Sequence, residues 1–110
     1  MLILPIKKKW FDMILKGEKK EEYREIKPYY TKRFQKIGLL LKDGSASPWT
    51  ASIALRNGYS AKDPMLRVRV DLIMRCGREE WGAEQDVQYY CLRIIEIYDL
   101  SVNGEVVWKR

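Results

Sequence analysis

Between Gly17 and Glu25 the chain reads Gly-Glu-Lys-Lys-Glu-Glu-Tyr-Arg-Glu, nine residues with seven formal charges set between two apolar stretches. The side chains in this run can do chemistry together. Arg presents a planar fork that grips phosphate or a carbonyl edge, Lys a point charge, and Glu a carboxylate able to move a proton. The chain contains no His, so the commonest general acid/base and the commonest zinc ligand are both missing. Catalysis would fall to Glu, Asp, Lys, Tyr, Arg or a hydroxyl.

Local geometry decides whether these charges cooperate. On a helix the neighbours four apart would be Lys16/Lys20, Glu18/Glu22, Lys20/Arg24 and Glu21/Glu25, all like-charged. Each such pair costs a few tenths of a kcal/mol (roughly 0.2–0.5), and Gly17 adds about 1 in a helix interior. An extended strand is the better solution, because residues two apart share a face and Lys20, Glu22 and Arg24 then alternate in sign. Such a face is either an edge protected by charge or the lining of a cleft.

The rest of the chain must position that ribbon. At 110 residues it forms one domain, 1–110, with 46% apolar and 33% charged residues, the balance of a globular chain. The net charge of +6 favours an anionic partner, nucleic acid first. Cys76 and Cys91 lack the close spacing of a metal site, so no metal or cofactor is expected; both read as reduced, packed thiols of a cytoplasmic protein. No apolar run approaches the length of a membrane span, and the opening apolar residues are too few for a secretory signal.

Leu2 to Ile6 reads as a first strand, ending or lying at an edge at Pro5. Trp10, Phe11, Met13, Ile14 and Leu15 then fall at helical spacing, stopped by Gly17. After the charged strand, Lys27-Pro28 opens a second helix with Tyr30, Phe34 and Ile37 inward, and Lys32, Arg33 and Lys36 on the wet side. Leu39-Leu40-Leu41 predicts a buried strand, and Ser52–Leu55 another that runs into Arg56-Asn57-Gly58-Tyr59-Ser60. Met65 to Met74 alternates most clearly, with one face apolar and the other largely basic. Gly77–Asp86 is a loop or short helical turn. Tyr89–Ile97 is apolar on both faces and so central in the sheet. Val102 and Val106 flank Asn103-Gly104 as a hairpin with a type I′ turn. Six or seven short strands with two helices near the start predict an α+β fold, a small, mixed, partly closed barrel with helices at its openings.

The opening half resembles the ASCH domain family of the PUA-like superfamily. The likeness rests on Gly-x-Lys-x-x-Glu-x-Arg directly after a helix, matched by Gly17, Lys19, Glu22 and Arg24. It extends to the run Tyr23–Tyr29, to Arg56-Asn57-Gly58-Tyr59 and to Glu80-Trp81-Gly82, and it leaves the terminal hairpin 101–110 uncovered. The resemblance implies a PUA-like β-barrel and a role around RNA or modified nucleosides. Some members are ribonucleases, some remove an acyl group from a modified cytidine, and others bind RNA without known chemistry. In the deacylating members a Thr nucleophile stands where this chain has Glu22, a departure that sets this chain apart from their mechanism. The family pattern also uses Lys19, whereas strand alternation alone selects Lys20.

These readings place Lys19, Glu22 and a loop carboxylate, Glu79 or Glu80, as catalytic candidates, with Arg24, Tyr23, Arg56, Asn57, Tyr59 and Trp81 as binding residues. The expected partner is RNA or a modified nucleoside: Arg24 and Arg56 would hold phosphate or a carbonyl edge while Tyr59 and Trp81 stack a base. The competing expectations are a protein-docking module, with Lys20, Glu22 and Arg24 exposed on an open face, and a structural ion pair between strands.

Overall fold

A computed structural model describes all residues, 1–110. It contains six strands and two helices: β1 (Ile3–Pro5), α1 (Lys8–Leu15), β2 (Glu21–Glu25), α2 (Pro28–Lys36), β3 (Ala51–Arg56), β4 (Met65–Cys76), β5 (Gln88–Val102) and β6 (Glu105–Lys109), with a 3-10 turn at Glu79–Trp81. The strands form one mixed sheet in the order β1-β3-β4-β5-β2, with β6 also paired to β5. Only β1 and β3 run parallel; every other pairing is antiparallel. The α+β class is therefore present. The terminal strands β1 and β2 do not pair with each other, so the sheet is open rather than closed by backbone hydrogen bonds.

The long strand β5 organises the sheet. One edge carries β4 throughout, and the other carries β2 along Tyr89–Arg93 and β6 along Asp99–Val102. With partners along both edges β5 is central in the sheet; its Tyr90, Cys91 and Leu92 are buried, while Arg93 and Ile95 are exposed. Alternation along β4 is as strict as its sequence: Leu66, Val68, Val70 and Leu72 are buried and the residues between them are not. They join Phe11 and Ile14 of α1, Phe34 of α2, Ile53, Leu55, Tyr90 and Leu92 in the main core. Two register shifts, at Arg67/Val68 and Arg69/Val70, bend these strands.

One predicted strand is absent. Leu39 and Leu40 are buried, but their amides donate to the Phe34 carbonyl at the end of α2, and only Leu40 forms a single bridge, to Ala46. Leu39 and Leu40 supply core contacts from a helix exit and a tight loop, which removes them from any ladder, and Leu41 is exposed. The hairpin at Asn103-Gly104 forms as expected, with φ of 58° and 81° at the two turn residues.

Candidate functional site

The site begins where α1 stops. Gly17 takes φ 79°, a left-handed conformation suited to glycine, and the Glu18 and Lys19 amides both return to the Met13 carbonyl. This turn continues past Gly17, so the strand starts only at Glu21, and Lys20 points to solvent. Lys19, still within the turn, swings inward and is 2% exposed. The face predicted from strand alternation, Lys20 with Glu22 and Arg24, is thus corrected to Lys19 with Glu22 and Arg24. The open charged face that a protein-docking module requires is not present at β2, since Glu22 is 5% exposed and lies beside a concave surface.

Lys19, Glu22 and Arg24 form one network. Lys19 Nζ stands 3.0 Å from Glu22 Oε1, and Arg24 Nη1 stands 3.2 Å from Glu22 Oε2. Glu22 Oε1 also accepts the Tyr23 amide at 3.2 Å. Lys19 donates to the Trp81 carbonyl and lies 4.4 Å from the centre of the Trp10 ring and 5.2 Å from that of Tyr23. Burial pushes the Lys19 ammonium below its ordinary pKa, and Glu22 opposes that shift only in part. Burial also raises the Tyr23 phenol to about 12, although its oxygen accepts the Arg78 amide at 3.0 Å.

Arg24 has a second task. Its Nη1 donates to the Tyr23 carbonyl at 2.7 Å and its Nη2 to the Pro5 carbonyl at 2.8 Å. One guanidinium thereby spans the seam between β2 and β1, the two strands that the backbone leaves unpaired. The turn after β4 is held against α1 in a similar way. A Cβ added to Gly82 would lie 2.9 Å from the Trp10 ring, so only glycine lets this turn approach so closely.

A cleft of about 460 Å³ opens over this seam. Its floor includes Glu22, Tyr23 and Arg24; its walls are Trp10, Tyr30, Trp81, Tyr89 and Tyr59, and Lys7, Lys27, Glu25 and Glu84 stand at the lining with Pro5, Ile6 and Gly82. That size suits a small ligand, and aromatic walls above a buried ion network suit a flat, polar-edged one. Lys19 lies beneath the lining, its ammonium already engaged by Trp81, Glu22 and two rings.

Of the residues singled out in the sequence, Glu22, Tyr23, Arg24, Tyr59 and Trp81 line one cleft, with Lys19 directly behind Glu22. Tyr59 is 88% exposed and stands at the margin. Arg56 and Asn57 are outside the lining; the Arg56 guanidinium lies by the Met65 sulfur at 4.0 Å and its Nε is buried without a partner. Glu80 is also outside it, exposed and 3.5 Å from Arg78, and the loop carboxylate at the cleft is Glu84. Trp10 and Tyr30 read in the sequence as helix core and prove to be walls. Their signal was proximity in the chain, each sitting on the helix adjoining the charged strand. No three acidic or cysteine side chains gather closely enough to hold a metal, and no helix is long and apolar enough to cross a membrane. Scans of the chain against protein-family models, curated proteins and solved structures found no match.

Proposed function

We propose that this chain is an RNA- or modified-nucleoside-binding domain of ASCH type, its open sheet a PUA-like barrel whose seam is closed by Arg24 instead of by a ladder. The observation that carries the reading is the aromatic cleft of about 460 Å³ set over the buried Lys19–Glu22–Arg24 network. A base stacked between Trp10, Trp81 and Tyr30 would present its polar edge to Glu22 and Arg24, while Lys7 and Lys27 meet the phosphate or ribose. Lys19 acts as a positioning residue that fixes the Glu22 carboxylate.

Hydrolysis is the second reading, and one observation favours it: burial lowers the Lys19 pKa immediately behind a carboxylate that faces the cleft. Glu22 would move the proton and Lys19 would offset the charge that develops. Both Glu22 oxygens are already held by cations, so a substrate proton would have to displace one of them, and binding is the favoured function.

Titration of the protein with nucleosides and with single-stranded RNA tests this. Trp81→Ala removes one stacking wall, worth about 1–3 kcal/mol per base, and weakens both ligands by roughly 5- to 150-fold. Trp49→Ala, an exposed indole outside the cleft lining, leaves affinity unchanged. Equal affinities in the two variants would overturn the reading. Release of product from RNA or an acylated cytidine, lost in a folded Glu22→Gln variant, would move the assignment from binding to hydrolysis.

A further inference from the structure

The chain's cations divide into two populations. Ten of its 21 Lys and Arg side chains have an acid within ion-pair distance, among them Arg67, Arg69, Arg75 and Arg93 on the outer face of β4 and β5. The face that looks basic in the sequence is therefore neutralised by Asp99, Glu96, Glu21 and Asp71. The three cations of α2 are not. Lys32, Arg33 and Lys36 have no acidic partner and line a groove of about 490 Å³ with Met1, Leu2 and Ile37, without a single carboxylate.

This groove is linked to the cleft along α2. Tyr30 lines the cleft and meets Tyr29 edge to face, with ring centres 5.0 Å apart. Tyr29 is 52% exposed and carries the Arg33 guanidinium 3.5 Å from its ring centre, held there because Arg33 Nη1 donates to the Tyr29 carbonyl at 2.8 Å. Beyond this stack stand Lys32 and Lys36, one helical turn apart. From Lys27 at the cleft to Lys36 the path is about 13 Å, the span of a few nucleotides.

We propose that the exposed face of α2 is a phosphate track for a single RNA strand whose base occupies the cleft. The ligand is then an oligonucleotide and not a free nucleoside. This rests on the nucleobase reading of the cleft. Charge complementarity selects the occupant: a groove of cations and apolar side chains favours a repeating anion, and the Tyr29–Arg33 stack offers a flat surface to a second base.

Binding of a nucleoside and of single-stranded RNA of increasing length is measured against salt for the wild type, for Lys32→Gln/Lys36→Gln and for the charge-matched control Lys42→Gln/Lys62→Gln. All four positions lack ion pairs, and Lys32 and Lys36 are exposed on the helix, so the fold is kept. The expected result is affinity that rises with strand length in the wild type. In the α2 variant the salt slope for the longer strands falls by about 1.4, roughly 0.7 for each lost phosphate contact. Nucleoside affinity stays unchanged there, and the control matches the wild type. An unaltered slope in the α2 variant, an equal loss in the control, or equal displacement of the strand by polyglutamate would overturn the track. If the α2 variant loses strand binding while Trp81→Ala does not, the track stands and the cleft reading falls.

Discussion

Two regions of this small sheet hold acids against bases, and they differ in what surrounds them. At β2 the carboxylate of Glu22 sits between Lys19 and Arg24, with all three side chains largely withdrawn from water. On the outer face of β4 and β5 the pairs Arg67–Asp99, Arg69–Glu96 and Arg93–Asp71 have Arg side chains that are 41–46% exposed, and Asp99 is the one buried acid among them. Geometry does not separate them, since Arg93 makes two contacts to Asp71 at 2.8 and 2.7 Å, shorter than either contact made by Glu22. Solvent does. An exposed pair gives up little when broken because water takes over its charges, whereas a buried charge without its counter-ion has nowhere to turn.

The largest effect should come from Glu22→Gln, which leaves two cations facing each other in a dry place. A loss of about 3–5 kcal/mol is expected in urea unfolding, and a loss near that of a surface pair would remove the distinction between the regions. Lys19→Met should cost less, about 1–3 kcal/mol, because Arg24 still neutralises Glu22 and the main penalty is a Trp81 carbonyl without its donor.

Alkaline titration sharpens the same contrast. The Lys19 pKa is lowered in the fold, so the unfolded chain holds that proton more tightly. Stability from this group therefore rises with pH, from the folded pKa up to the ordinary 10.5, and Lys19→Met abolishes the rise. Tyr23 acts oppositely. With its phenol raised from 10.0 to about 12, the unfolded chain ionises first and stability falls as pH climbs through that interval. Tyr23→Phe should remove the fall, and a late-titrating phenol should vanish from the ultraviolet titration. The smallest effect belongs to the outer face. Asp71→Ala should cost less than about 1 kcal/mol and the cost should shrink in salt; a larger, salt-independent value would mean that the face is drier than its exposure implies.

How much of this was legible in the sequence varied with the physics involved. Alternation along Met65–Met74 reads directly because a half-buried strand must repeat every two residues, and the helix stops at Gly17 and Gly38 follow from glycine's tolerance of positive φ. Lys19 was misplaced by the same regularity. Extrapolating the strand backward from Arg24 selects Lys20, and the turn after Gly17, whose amides bond back to Met13, breaks the period before the strand begins. The Gly-x-Lys-x-x-Glu-x-Arg spacing from Gly17 picks Lys19, the lysine that stands beside Glu22, because a spacing preserves irregular backbone that a period smooths away. Trp10 and Tyr30 were read as core because helical spacing shows which side of a helix is apolar, not whether that side ends at a cleft. The basic face of β4 was misread as charged because its neutralising acids come mainly from β5. The Arg24 contact across the seam depends on the carbonyl of Pro5, distant in the chain, and leaves no trace in any local pattern.

The adjacent carboxylates of β2 carry a consequence for folding. Glu21 and Glu22 point to opposite sides of the strand, and each buried carboxylate is paired with its own Arg, Glu21 with the half-exposed Arg75 and Glu22 with Arg24. A strand of five residues at the margin of a sheet has few apolar contacts to fix its alignment. Sliding it by one position against β5 would exchange the two faces and strand both acids at once, away from their cations. Mispairing is thus penalised by stranded charge instead of by lost greasy contact, and the segment that builds the cleft floor has one admissible alignment.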